Sequence, residues 1–88
     1  MSDIENTIKE RTKTCGEFRD ITKTSYDLKY ILRQGDKFPR IPPYMVEAID
    51  MIAHKLARIV QGDPLFIDHW RDIQGYARLV ENELEQNA

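Results

Sequence analysis

The stretch from Pro43 to Gly62 most constrains how this chain can fold. Met45, Ile49, Ile52, Ala53, Leu56 and Val60 recur at three- and four-residue spacing, which puts them along one side of an α-helix. Proline at the first helical position has a ready-made φ and lacks only an N–H that would go unpaired there anyway, and glycine suits the end. A helix over 43–61 with one apolar face must lie against other elements. No part of the chain shows the apolar–polar alternation of a strand, so those elements must also be helices.

Ser2 with Glu5 reads as a capping box opening a helix over 1–15, with Ile4, Ile8 and Thr12 on a thin inner face. Gly16 stops it. Phe18, Ile21, Leu28, Ile31 and Leu32 keep helical spacing in a second helix over 17–33, flanked by a Tyr26–Tyr30 ridge and followed by Gly35 as its C′ residue. Residues 34–42, with Asp36, Pro39 and Pro42, form a loop long enough to pack or to touch a ligand. Asp63-Pro64 supplies an N-cap and first position for a last helix over 64–85, whose apolar set is Phe66, Trp70, Ile73, Ala77, Val80 and Leu84. Residues 86–88 form a frayed tail. The expected architecture is one all-α domain over 1–88, a bundle of about four helices completed by oligomerisation, because 88 residues bury little surface alone.

Composition narrows the function classes. Net charge is −2 and pI about 5.6, so no overall field draws the chain to nucleic acid. The basic-aromatic run Lys23, Tyr26, Lys29, Tyr30 and Arg33 is the one local feature of that kind. No apolar run approaches the roughly 20 residues of a membrane span, and the acidic start lacks the features of a secretory signal. A single cysteine, Cys15, has no internal disulfide partner and fits a reducing cytoplasm.

The unusual residues gather on two helix backs. On a wheel of roughly 100° per residue, the last helix carries Asp68, Asp72, Gly75 and Leu79 opposite its apolar stripe, with Tyr76 beside them. A glycine facing water in mid-helix costs about 1 kcal/mol relative to alanine, so Gly75 suggests close packing, within the chain or between copies. The 43–61 helix carries Glu47, Met51, His54, Lys55 and Arg58 opposite its stripe. One reading is a solvated charged face. The sharper one pairs Lys55 or Arg58 with Asp68 or Asp72, fixing helix register or leaving a cation for an anionic ligand. His69 and His54 lack the spacing of a transition-metal site. Glu47 and Asp50 could join Asp68 and Asp72 around Mg²⁺. Cys15 has no recognisable basic partner and reads as structural.

Three segments carry a resemblance: Arg11 with Thr14-Cys15-Gly16-Glu17-Phe18, then Lys55-Leu56-Ala57-Arg58, then Asp68-His69-Trp70-Arg71-Asp72-Ile73-Gln74-Gly75-Tyr76. Together they resemble a family of small, functionally uncharacterised phage and prophage proteins. Its members show an Arg-rich T-Y-G-x-F segment, a K-x-x-R helix and D-x-W-x-D-I-x-G-Y. The likeness runs from about Arg11 to Val80, and Cys15 departs from it by standing where the family usually has Tyr. It implies a phage origin and a host-cytoplasm location but no reaction. A more distant likeness is to all-α nucleoside triphosphate pyrophosphohydrolases of the MazG type, which hold Mg²⁺ with E-x-x-E and E-x-x-D motifs on facing helices. Glu47-x-x-Asp50 resembles one motif and Asp72 the end of the other, but His69 stands where that motif needs Glu.

The expectation is a phage-encoded, non-enzymatic binding module for a nucleotide-like anionic ligand or a host protein, without cofactor or bound metal. Arg11, Lys55, Arg58, Asp68, Asp72 and Tyr76 would form its surface: cations meet the anion, the aspartates orient the cations, and Tyr76 stacks or hydrogen-bonds. Two alternatives remain: Mg²⁺-dependent hydrolysis through Glu47, Asp50, Asp68 and Asp72, or a purely structural helical homo-oligomer.

Overall fold

A computed structural model describes residues 2–87; the side chain of Ser2 lies outside the described residues, and with it the capping box. The described chain is all-α: α1 (Ser2–Cys15), α2 (Phe18–Leu32), a 3₁₀ turn (Phe38–Arg40), α3 (Pro43–Gln61) and α4 (Ile67–Gln86). No helix among the described residues is long and apolar enough to cross a membrane.

α3 is the axle. It packs α2 on one side and α4 on the other, and it touches α1 near its C-terminal end. Its buried residues are Ala48, Ala53, Ala57 and Ile59. Three alanines on one helix let neighbouring backbones come close, which explains why so central a helix buries so little bulk. The expected stripe is displaced: Ala53 is buried, but Leu56 and Val60 are exposed. α2 turns Ile21 and Ser25 inward, while Phe18, Ile31 and Leu32 face outward. The face of a helix on which neighbours press is set by where they lie, and a stripe wider than one contact leaves that choice open.

α4 shows the largest rotation. Its buried residue is His69, 2% exposed, whereas Trp70 is 49% exposed. Ala77 and Leu84, expected in the core, are exposed too. Phe66, Ile73, Tyr76 and Val80 form the half-buried remainder of the inner face. Trp70 instead donates its indole N–H to the Pro64 carbonyl at 2.9 Å, bracing the turn that precedes α4. That turn also corrects the helix start. Asp63 Oδ1 accepts from the Leu65 N–H at 2.9 Å, so Asp63 caps a turn, and α4 begins three residues after Pro64. At the far end α4 continues to Gln86, one residue beyond the expected 85, with Asn87 as C-cap; Ala88 lies outside the described residues.

The 34–42 segment packs only at Phe38 and Ile41, which are half-buried while the rest is exposed. Arg33 holds Asp50 of α3 through two hydrogen bonds of 2.9 Å, and its guanidinium lies 5.1 Å from the centre of the Phe38 ring. Arg33 is the C-cap of α2, and Gly35 does not take the left-handed conformation expected of a C′ residue; among the glycines only Gly16 does, at φ 93°.

α1 meets α3 through backbone. A Cβ on Gly62 would come within 2.4 Å of the Thr14 carbonyl oxygen, and one on Gly16 within 2.5 Å of the Gln61 carbonyl oxygen. Into this contact the Asp63 N–H donates to the Thr14 oxygen at 3.0 Å, and His69 Nε2 does so at 3.0 Å. A carbonyl only accepts, so Nε2 carries the hydrogen. Phe66 packs edge-on to the same imidazole, ring centres 4.9 Å apart. Gly75 is the opposite case, since a Cβ there meets nothing within 4 Å, and no packing inside the chain accounts for it.

Two substitutions separate these roles in urea unfolding. Gly62→Ala is expected to cost about 1–3 kcal/mol through backbone collision, whereas Gly75→Ala should stabilise by about 1 kcal/mol through helix propensity. His69→Leu, which removes one of the two donors to the Thr14 carbonyl, is expected to cost about 1 kcal/mol.

Candidate functional site

Lys55 and Arg58 lie three residues apart on α3 and therefore project on one side of it. Opposite them α4 presents Asp68 and Asp72, and the end of α1, docked through Thr14 and Gly16, brings Arg11 over the top. These five side chains and His69 share the wall of a cavity of about 450 Å³. The tertiary structure thus assembles five of the six expected site residues from three helices.

Tyr76 is the exception. It lines a separate groove of about 310 Å³ with Tyr44, Met51 and Leu79. Four residues beyond Asp72, it shares that residue's side of the helix but stands about 6 Å farther along the axis, beside Glu47, Ala48 and Met51 of α3.

The charges in the cavity are unequally matched. Lys55 Nζ lies 2.8 Å from Asp72 Oδ2, with the lysine side chain only 12% exposed. That hydrogen bond, reinforced by the Lys55 charge and more weakly by His69 and Arg58, holds the Asp72 carboxyl below the ordinary carboxylate range against the opposing effect of burial. Asp68 turns to Arg71 on its own helix at 3.8 Å. Among the described residues, neither Arg11 nor Arg58 has an ion-pair partner. The Arg58 Nε is buried and makes no hydrogen bond. So of the four pairings weighed from sequence, Lys55–Asp72 forms and the arginine is left over.

Arg58 also borders a second cavity, of about 270 Å³, lying between α1, α2 and α3. Ile8, Phe18 and Ile21 supply apolar wall there, and Arg11 and Cys15 line both spaces. His54 stands at its edge with Nδ1 3.4 Å from the buried Ser25 hydroxyl. Burial pushes the His54 pKa down, and the nearby Arg58, Lys29 and Lys55 charges push it further. From sequence His54 stands on the charged back of α3 and was not among the expected site residues; its i, i+4 relation to Arg58 was the available signal.

The carboxylates of the hydrolase alternative are dispersed. Glu47 and Asp50 sit about 12 and 7.5 Å along α3 from Lys55, with Glu47 on the Tyr76 groove and Asp50 held by Arg33. The Arg33 hydrogen bond keeps Asp50 below the usual carboxylate range. Among the described residues no group of three or more His, Cys, Asp or Glu is placed to hold a metal ion. His69, standing where the hydrolase motif needs Glu, is spent on the Thr14 carbonyl. Comparison with protein-family models, with curated proteins and with solved structures found no match.

His54 gives the site a pH signature. The unfolded chain protonates it near 6.5, whereas the folded protein resists until lower pH. Between those values the unfolded state binds more protons, so stability declines as pH falls below 6.5 and levels off beneath the folded pKa. Urea midpoints measured over roughly pH 5 to 8 should show this slope, and His54→Gln should flatten it. An unchanged slope in the variant would exclude His54 as its source.

Proposed function

We propose that this chain is a non-enzymatic binding module whose α1–α3–α4 cavity takes a phosphate-bearing, nucleotide-like ligand. The buried, unpartnered Nε of Arg58 carries this reading. A buried donor left without an acceptor costs about 1–3 kcal/mol, and the fold retains one where two further cations, Arg11 and Lys55, converge. A small swing of the guanidinium toward a phosphate oxygen gives Nε an acceptor, and the planar fork suits bidentate contact. A space of about 450 Å³ lies in the range of small-molecule sites. The adjoining apolar cavity beside Phe18 and Ile21 offers room for a ring attached to the phosphate. Asp72 orients Lys55, and Tyr76 has no part in this site.

The resemblance to small uncharacterised phage and prophage proteins supports placing such a module in a host cytoplasm. Hydrolysis gains no support, because Glu47 and Asp50 stand apart from Asp68 and Asp72. A supporting role for a second copy comes from the many large apolar side chains left exposed, among them Ile4, Ile8, Phe18 and Leu65.

Arg58→Met discriminates a binding site from a structural lock. It removes the orphaned donor while keeping the unbranched stem, so the ligand-free variant is expected to gain about 1 kcal/mol in urea unfolding. Inorganic pyrophosphate and a nucleoside triphosphate should raise the melting temperature of the wild type and leave Arg58→Met unmoved. A destabilised variant, or no wild-type shift at millimolar ligand, would contradict the proposal. Incubation of the triphosphate with Mg²⁺ should release no pyrophosphate, and release would overturn the non-enzymatic half of it.

A further inference from the structure

The chain exposes 6845 Å², whereas a folded monomer of 10.4 kDa is expected to expose about 5,400 Å². The excess, about 1,450 Å², exceeds the roughly 800 Å² per partner of an ordinary stable interface. Shape agrees: the radius of gyration is 15.1 Å against about 12 Å for a compact domain of this length.

Part of the uncovered surface belongs to α1. Every residue from Asp3 to Arg11 is exposed, and the helix is fastened to the body through its last turn, at Thr14 and Gly16. A helix of 14 residues is marginal in water without a partner along its length. Its only two aliphatic side chains, Ile4 and Ile8, are 69% and 57% exposed, and Phe18, across the groove from Ile8, is 80% exposed. The charges along α1 are polarised as well: Asp3 and Glu5 occupy its first turns, while Lys9, Arg11 and Lys13 outnumber Glu10 in its later ones, where Lys13 lies 3.5 Å from Glu10. Such a helix complements a copy of itself running the other way, the isologous arrangement of a twofold dimer.

We infer that the protein forms a homodimer in which α1 pairs antiparallel with α1 of a second copy, sealing Ile4 and Ile8 between them. The acidic first turns of each α1 then lie beside the basic later turns of the other. The outward faces of α3 and α4 stay free. This assembly does not depend on the cavity having a ligand.

Light scattering at micromolar concentration is expected to give a mass of about 21 kDa, twice the 10.4 kDa chain; a 10.4 kDa particle overturns the inference without reference to any variant. Ile8→Glu should yield the monomer with the helical circular dichroism of α2, α3 and α4 retained, whereas Leu79→Glu, on α4, should remain dimeric. The reverse pattern would overturn the choice of face. Charge reversal supplies a test that a folding defect cannot imitate. Asp3→Lys/Glu5→Lys and Lys9→Glu/Lys13→Glu should each dissociate alone and form a mixed dimer when combined. Failure of the mixture to pair, with both variants helical, overturns the antiparallel seam.

Discussion

The carbonyl of Thr14, at the end of α1, receives the Asp63 N–H and the His69 Nε2–H at 3.0 Å each, in a contact where Gly16 and Gly62 leave no room for a Cβ. The last turns of a helix leave carbonyls without intrahelical partners, and a buried end must find donors elsewhere. Here the donors come from the turn after α3 and from α4, so one satisfied oxygen ties three helices together. The burial of His69, the entry angle of α4 and the attachment of α1 all follow from it. So does the site, because Arg11 and Cys15 reach the cavity only while α1 is held at that end.

The electrostatics of the cavity build on the same junction. α1 and α3 both end nearby, and the partial negative charge of helix C-termini favours cations in the last turn, where Arg58 lies. That field eases the cost of an unpaired guanidinium but provides no acceptor for a buried Nε–H. Lys55 is settled by Asp72, and Asp50 is settled by Arg33 at the other end of α3. Arg58 and Arg11 are what remains, without an ion-pair partner among the described residues. The small residues of α3 that permit close helix packing also limit the core, and Ile4, Ile8 and Phe18 are left exposed.

The bounds of α3, Pro43 to Gln61, were legible to the residue because Pro43 and Gly62 punctuate it through their own backbone chemistry. The start of α4 was not, since Asp63-Pro64 is equally good chemistry for an isolated turn. Trp70 looked like core because it is large and keeps the stripe's spacing. His69 was buried in its place because a carbonyl 55 residues earlier needed a donor, and nothing local to His69 announces that. The Lys55–Asp72 pair could be read from charge and spacing across a helix hairpin. Arg33–Asp50 was missed, although both residues were in view, because its geometry depends on how α2 leans on α3.

Local hydrogen bonding and side-chain spacing were therefore enough to specify four helices, the absence of strand pattern, and the band of α3 and α4 where charge would concentrate. Those properties involve residues a few positions apart, and the chain carries them without reference to its own packing. The rotation of each helix about its axis required the assembled molecule, and it buried His69 and stranded Arg58. Rotation is set by groups that meet only after folding: the Thr14 carbonyl, the glycine crossing and the alanine face of α3.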